Sequence, residues 1–109
     1  QIKEKVNSLQ NKTHKQINIG CFGLTFKPNI DDLRESPAIK IVSRLIEDGY
    51  NIYTCEPNIS NHPKISLYSS EEVINSSDIL VFLVAHSKFE NLETKDRDIM
   101  NLCGLNLKN

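Results

Sequence analysis

The sequence has 109 residues, 39% of them hydrophobic and 25% charged, with a formal net charge of -1. That length supports one small globular domain with a single core. The near balance of charge excludes a broad nucleic-acid groove and a polybasic membrane patch, so neither partner is expected and any anionic ligand has to be held locally.

Residues 1–12 place Ile2, Val6 and Leu9 at helical spacing on a polar background, which predicts a helix with one narrow apolar face. Gln1 rather than Met opens the chain, as expected for a piece of a longer protein. Thr13 to Gln16 read as a polar connector before Ile17-Asn18-Ile19-Gly20-Cys21-Phe22, an apolar run of strand length. A charged loop, residues 23–38, follows. Within it Ser36-Pro37 predicts a helix start: a hydroxyl able to accept a first-turn N–H, then a residue with fixed φ and no donor. Ala38, Ile41, Val42, Leu45 and Ile46 recur at intervals of three and four, and Gly49 supplies a left-handed stop. Residues 51–55 predict a second strand, so the unit fits a right-handed parallel crossover.

Glu56-Pro57-Asn58-Ile59 closes that strand, and residues 60–64 read as loop. Ser69 to Asn75 predicts a short helix with a hydroxyl cap and early carboxylates suited to its dipole. Asp78 to Ala85 is the most apolar run, and its lack of alternation predicts a central strand covered on both faces. Ile99 to Leu102 is a last strand, while 104–109 carry little signal. The alternation predicts an α/β, Rossmann-like open sheet, mostly parallel, with helices on both faces. Ligands of such sheets lie beyond the carboxyl ends of the strands, where the 23–38 loop emerges.

That loop has no G-x-G-x-x-G fingerprint; Gly20 and Gly23 alone are weak signals, and Gly20 falls within the strand. It does carry Lys27 and Arg34, seven residues apart, just before a capped helix start, a combination that suits phosphates. The competing reading makes the two cations mere neutralisers of Asp31, Asp32 and Glu35 on a solvated turn. Asp31 and Asp32 read as loop-ordering groups that hold Lys27 and Arg34, with Ser36 as the cap, and no further ligand is spaced to complete a metal site. His86, just after the apolar strand, reads as a hydrogen-bonded strand-end histidine before a ligand contact. Cys21, Cys55 and Cys103 form no CxxC pair; the first two sit in apolar runs as buried small hydrophobes, and a reducing cytoplasm is the expected compartment. No apolar run approaches the roughly 18 residues of a membrane span, and the start lacks a signal pattern.

The run Phe26-Lys27-Pro28-Asn29-Ile30-Asp31-Asp32-Leu33-Arg34-Glu35-Ser36-Pro37-Ala38 resembles the signature that opens the C-terminal domain of the UDP-glucose/GDP-mannose dehydrogenase family. Glu56-Pro57-Asn58-Ile59 and Leu83-Val84-Ala85-His86-Ser87-Lys88-Phe89 extend the likeness, which looks most like the UDP-N-acetyl-D-mannosamine dehydrogenase branch. The resemblance implies residues 1–16 as the end of a connecting helix and linker, and 17–109 as the UDP-sugar-binding domain of a cytoplasmic enzyme. Such an enzyme oxidises a sugar C6 alcohol to the carboxylate in two NAD-dependent steps, for surface polysaccharide synthesis. It further implies that Phe26 and Lys27 contact the nucleotide sugar and that Arg34 reaches NAD, which is bound mainly by an N-terminal domain. The family's nucleophilic cysteine belongs to a central-domain motif that is missing here, so this chain is expected to hold no catalytic residue and to be inactive alone. Its partners would be the N-terminal and central domains of the same enzyme, a homodimer or higher. Cys103 stands where many members carry a substrate-contacting arginine. The alternatives are the same domain of a UDP-N-acetylglucosamine or UDP-glucose dehydrogenase, a free-standing flavodoxin-like binding module, and a purely structural domain.

Overall fold

The computed structural model describes residues 1–29 and 31–107. Ile30, inside the loop motif, and the last two residues of the tail lie outside that range. Helix α1 (Ile2–Thr13) buries Ile2 and Val6 and ends at His14, which takes a left-handed conformation with φ 57°. The chain continues through β1 (Asn18–Phe22), α2 (Pro37–Glu47), β2 (Asn51–Cys55), α3 (Ser70–Ser76), β3 (Ile79–Phe82), a 3₁₀ turn (Ser87–Phe89) and β4 (Asp98–Asn101).

The strands form one sheet in the order β2-β1-β3-β4, and all three pairings are parallel. A parallel sheet needs crossovers: α2 and α3 supply the first two on opposite faces, and the segment with the 3₁₀ turn leads from β3 to β4. On one face Ile19, Cys21, Ile79 and Val81 pack with Val6, Val42 and Leu45 from α1 and α2. On the other, Phe22, Leu80 and Phe82 meet Val73 and Ile74 of α3. Both interior strands are therefore apolar on both sides, and the expected lack of alternation in β3 has this cause.

Local chemistry sets the element ends. Ser36 Oγ accepts the Ile39 N–H at 3.4 Å and Pro37 takes the first helical position, while Gly49 (φ 88°) stops the chain after α2. Ile46, grouped with the apolar stripe by spacing, is 40% exposed at its edge. A reciprocal capping box opens α3: Ser69 Oγ accepts from Glu72 N at 3.1 Å and Glu72 Oε1 from Ser69 N at 2.9 Å. The apolar run 78–85 keeps only four residues in the ladder. Leu83 N donates to the Phe22 carbonyl at 2.9 Å as the last bond of the β1–β3 ladder, and Val84 N doubles back to the same carbonyl at 3.4 Å, so the chain turns across the end of β1 instead of extending β3.

Gly20 lies within β1, as its position in the sequence suggests, and α3 presses directly on it. A Cβ there would stand 2.6 Å from Val73 Cγ1 and 2.6 Å from Ser77 Oγ. The glycine lets the helix approach the sheet.

Candidate functional site

The loop leaves β1 at Gly23, whose φ of 104° turns the chain, while its N–H donates to the Cys55 carbonyl at 2.9 Å. Its first residues go inward: Leu24 and Thr25 are 0% and 1% exposed. Their N–H groups both donate to Glu56 Oε1, at 2.7 and 3.2 Å, and the other carboxylate oxygen accepts from Asn58 N at 2.9 Å. Glu56 follows directly on β2, so the sheet delivers a buried carboxylate to the base of the loop.

His86, fully buried after β3, completes the cluster. Its Nε2 lies 2.9 Å from Glu56 Oε1 and 3.2 Å from Thr25 Oγ1, and its Nδ1 accepts the Asn29 N–H at 2.7 Å. The Thr25 hydroxyl donates to the Lys27 carbonyl at 2.9 Å, so toward the imidazole it can only accept. These partners assign the ring one tautomer, with the proton on Nε2 and a lone pair on Nδ1. The contact with Glu56 is thus a hydrogen bond from a neutral ring to a carboxylate. Burial pushes the Glu56 carboxyl up, but the hydrogen bonds from His86, Leu24 N and Asn58 N outweigh it and hold the group below its ordinary range.

The outer half of the loop is exposed. Phe26 is 47% exposed, and Lys27 Nζ lies 5.7 Å from the centroid of its ring. Phe26 N donates to the Asp32 carbonyl at 2.7 Å. The Asp32 carboxylate in turn takes Arg34 through Nε at 3.1 Å and Nη2 at 3.0 Å, and the Arg34 N–H at 2.9 Å. That fork lowers the Asp32 carboxyl to about 2. Arg34 is therefore aimed by Asp32 while remaining largely in solvent, and Asp31 beside it is exposed. Ser36 is buried; besides capping α2, its hydroxyl donates to the Leu24 carbonyl. Phe26, Asp32, Arg34 and Glu35 line an open hollow of about 680 Å³.

Cys21 and Cys55 are pushed up to about 12 by burial, with the Glu56 charge adding to the effect at Cys55. Burial raises the Cys103 thiol as well. All three stay thiols at neutral pH, so none is primed as a nucleophile. Among the described residues no group of three His, Cys, Asp or Glu side chains could hold a metal ion, and no helix is long and apolar enough to cross a membrane. A dinucleotide does not fit as a resident of this sheet alone. The amides of Leu24 and Thr25, which would face a pyrophosphate, are occupied by Glu56, and Glu56 itself is too buried for a ribose.

The sequence profile described as the UDP-glucose/GDP-mannose dehydrogenase family, UDP binding domain, matches residues 20–102. The chain belongs to this family. Among curated members of the UDP-glucose/GDP-mannose dehydrogenase family, the UDP-N-acetyl-D-mannosamine dehydrogenase of Escherichia coli K12 is 45% identical over 86 residues, 72% of this chain and 20% of that protein. The NDP-N-acetyl-D-galactosaminuronic acid dehydrogenase of Ralstonia solanacearum is 44% identical over 85 residues, 73% of this chain and 20% of that protein. The chain spans about a fifth of the length of these relatives. Among solved structures, a GDP-mannose dehydrogenase of Pseudomonas aeruginosa superposes with a TM-score of 0.72 at 28% identity, over 97% of this chain and 28% of that one. The UDP-N-acetyl-mannosamine dehydrogenase of Staphylococcus aureus shares the fold, with a TM-score of 0.76 at 22% identity over 96% of this chain and 26% of that one. The strand order found here begins like the flavodoxin-like order as well, so topology alone does not separate the two; the family match does.

Proposed function

We infer that the chain is the nucleotide-sugar-binding, C-terminal domain of a cytoplasmic, NAD-dependent UDP-N-acetyl-D-mannosamine 6-dehydrogenase. In this reading residues 1–16 end a connecting helix and linker, and 17–109 form the domain. N-terminal and central domains supply the NAD site and the nucleophile. Phe26 and Lys27 meet the nucleotide sugar, and Arg34 reaches NAD across an interdomain cleft. The enzyme works as a homodimer or higher assembly, and its uronic acid goes to a surface polysaccharide.

The observation that carries the reading is the family's loop itself, held at the carboxyl ends of β1, β2 and β3 with Phe26, Lys27 and Arg34 all exposed on one short stretch. The relatives named UDP-N-acetyl-D-mannosamine dehydrogenase, from Escherichia coli and Campylobacter jejuni among others, support the choice of sugar. The Ralstonia relative favours a second reading in which the sugar is of the N-acetylgalactosamine type.

Oxidation of the C6 alcohol to a carboxylate removes four electrons and consumes one water, with two NAD reduced per sugar. The full-length protein is therefore to be offered UDP-N-acetylmannosamine, UDP-N-acetylglucosamine, UDP-N-acetylgalactosamine, UDP-glucose and GDP-mannose in parallel, following NADH. About two NADH per UDP-N-acetylmannosamine, with little from the others, is the expected result. Turnover of a different sugar keeps the family and moves the substrate. In the active enzyme, Lys27→Ala is expected to raise the nucleotide-sugar KM and Arg34→Ala the NAD KM, each by roughly tenfold or more for a lost charge-assisted contact. Equal loss of both affinities from either change would point to a folding defect instead.

A further inference from the structure

In dinucleotide-binding sheets the acid at the end of the second strand hydrogen-bonds ribose hydroxyls. Glu56 occupies that place, yet its side chain is 0% exposed. Leu24 N, Thr25 N, His86 Nε2 and Asn58 N all donate to it. It has no surface to offer a ligand. Every one of these partners instead shapes the loop or its immediate neighbour.

The geometry points to Glu56 and His86 as positioning residues for nucleotide-sugar binding: buried behind the loop, they fix the backbone on either side of Phe26-Lys27-Pro28 so that the exposed tip is already in its binding shape. Before the tip, the Glu56 carboxylate holds the Leu24 and Thr25 amides, and the Thr25 hydroxyl holds the Lys27 carbonyl. After the tip, His86 Nδ1 holds the Asn29 amide, and Asn29 Oδ1 accepts from Ser87 N at 2.9 Å and Ser87 Oγ at 3.1 Å. Asn29 has φ 63°, a conformation that a free loop visits seldom, so the pin selects it. Ordering the loop beforehand removes a cost that would otherwise fall on ligand binding.

This inference rests on the reading of Phe26 and Lys27 as nucleotide-sugar contacts, and its test separates the two. In the full-length enzyme, His86→Ala removes both the donor to Glu56 and the acceptor for Asn29. The nucleotide-sugar KM is expected to rise about tenfold, while kcat and the NAD KM stay within about twofold. Hydrogen exchange at the Leu24, Thr25 and Asn29 amides is expected to accelerate in the same variant. His86→Asn, whose amide oxygen comes close to the place of Nδ1, keeps the Asn29 pin and is expected to recover most of the KM. A thermal midpoint for each variant shows that it is folded at the assay temperature. A folded His86→Ala enzyme with an unchanged nucleotide-sugar KM, or a variant in which kcat and both KM values worsen together without rescue by asparagine, overturns the positioning role while the proposed reaction stands. If the unaltered full-length protein turns over no nucleotide sugar, the proposed reaction falls and the inference falls with it.

Discussion

Replacing Glu56 by glutamine exchanges one oxygen for an NH2 group and turns a donor toward a donor. If the amide oxygen keeps Leu24, Thr25 and His86, the new NH2 faces the Asn58 N–H, which the lost oxygen accepted at 2.9 Å. Glu56→Gln is expected to cost about 1–3 kcal/mol at neutral pH, the usual range for a buried polar group left without its partner. Its pH dependence has a definite sign. The folded state holds the carboxyl below its ordinary value of 4.5, so the stabilisation is complete above that value and is lost as the pH falls through the lower folded one. Urea unfolding of both proteins between neutral and acid pH should show a gap that narrows only in the acid range. Asp32, Asp48, Glu72 and Asp78 are also held low, but by Arg34, by Lys3 and Arg44, by Ser69, and, against burial, by Asn18 and Lys15, so their contributions are common to both proteins and cancel in the difference. This cluster was the least legible part of the site in the sequence. Phe26, Lys27 and Arg34 announce themselves through a continuous motif. Glu56 works through the backbone amides of residues 24 and 25, about thirty positions away, and no side-chain pattern encodes an amide. The visible signal is an acid closing an apolar strand before Pro57 and a histidine following another, and sequence position gives a hydrogen-bonding role only to His86, as a strand-end residue.

At the scale of elements, the contact between β1 and α3 depends on the missing side chain of Gly20. Val73 is stiff at χ1 and buried, and Ser77, the residue that ends α3, is buried as well, so neither yields easily to a new methyl group. Gly20→Ala is expected to destabilise the chain by about 1–3 kcal/mol through overpacking, more than the entropy gained by removing a glycine from the unfolded state. The measurement is the midpoint of a denaturant titration, and a stability equal to or above that of the parent would show that α3 can move away. Helices α2 and α3 were readable because their ends are written in side chains, Ser36-Pro37 and Gly49 for one, Ser69 and Glu72 for the other. Strand β2 was readable for its composition. The end of β3 was not: Leu83 to Ala85 are as apolar as the strand before them, but the neighbouring strand β1 turns away at Gly23 and its last carbonyl, Phe22, takes both the Leu83 and the Val84 N–H. The asymmetry is physical, since caps are local and strand lengths are settled by neighbours.

Across the whole molecule, the sheet order puts β1 between strands that come later, with Ile19 aligned to Ile52 on one side and Ile79 on the other. Two of the three strand pairings therefore wait for β3. The loop waits as well: the bond from Leu24 to Glu56 spans 32 residues and that from Asn29 to His86 spans 57. Contacts this distant in sequence are slow to form, because a long loop has to close before they are made. A polypeptide made from its N-terminus produces the 23–38 loop early and can complete its shape only after His86 has been added. Pulse-labelled exchange during refolding is expected to protect the Ile19 and Cys21 amides before those of Leu24 and Asn29; simultaneous protection would mean that the clamp forms along with the strands. Any nascent chain interrupted between Ile59 and Ala85 would carry the complete motif and the Glu56 clamp on Leu24 without the His86 pin on Asn29, so possession of the motif and possession of its finished shape are separated in time as the protein is made.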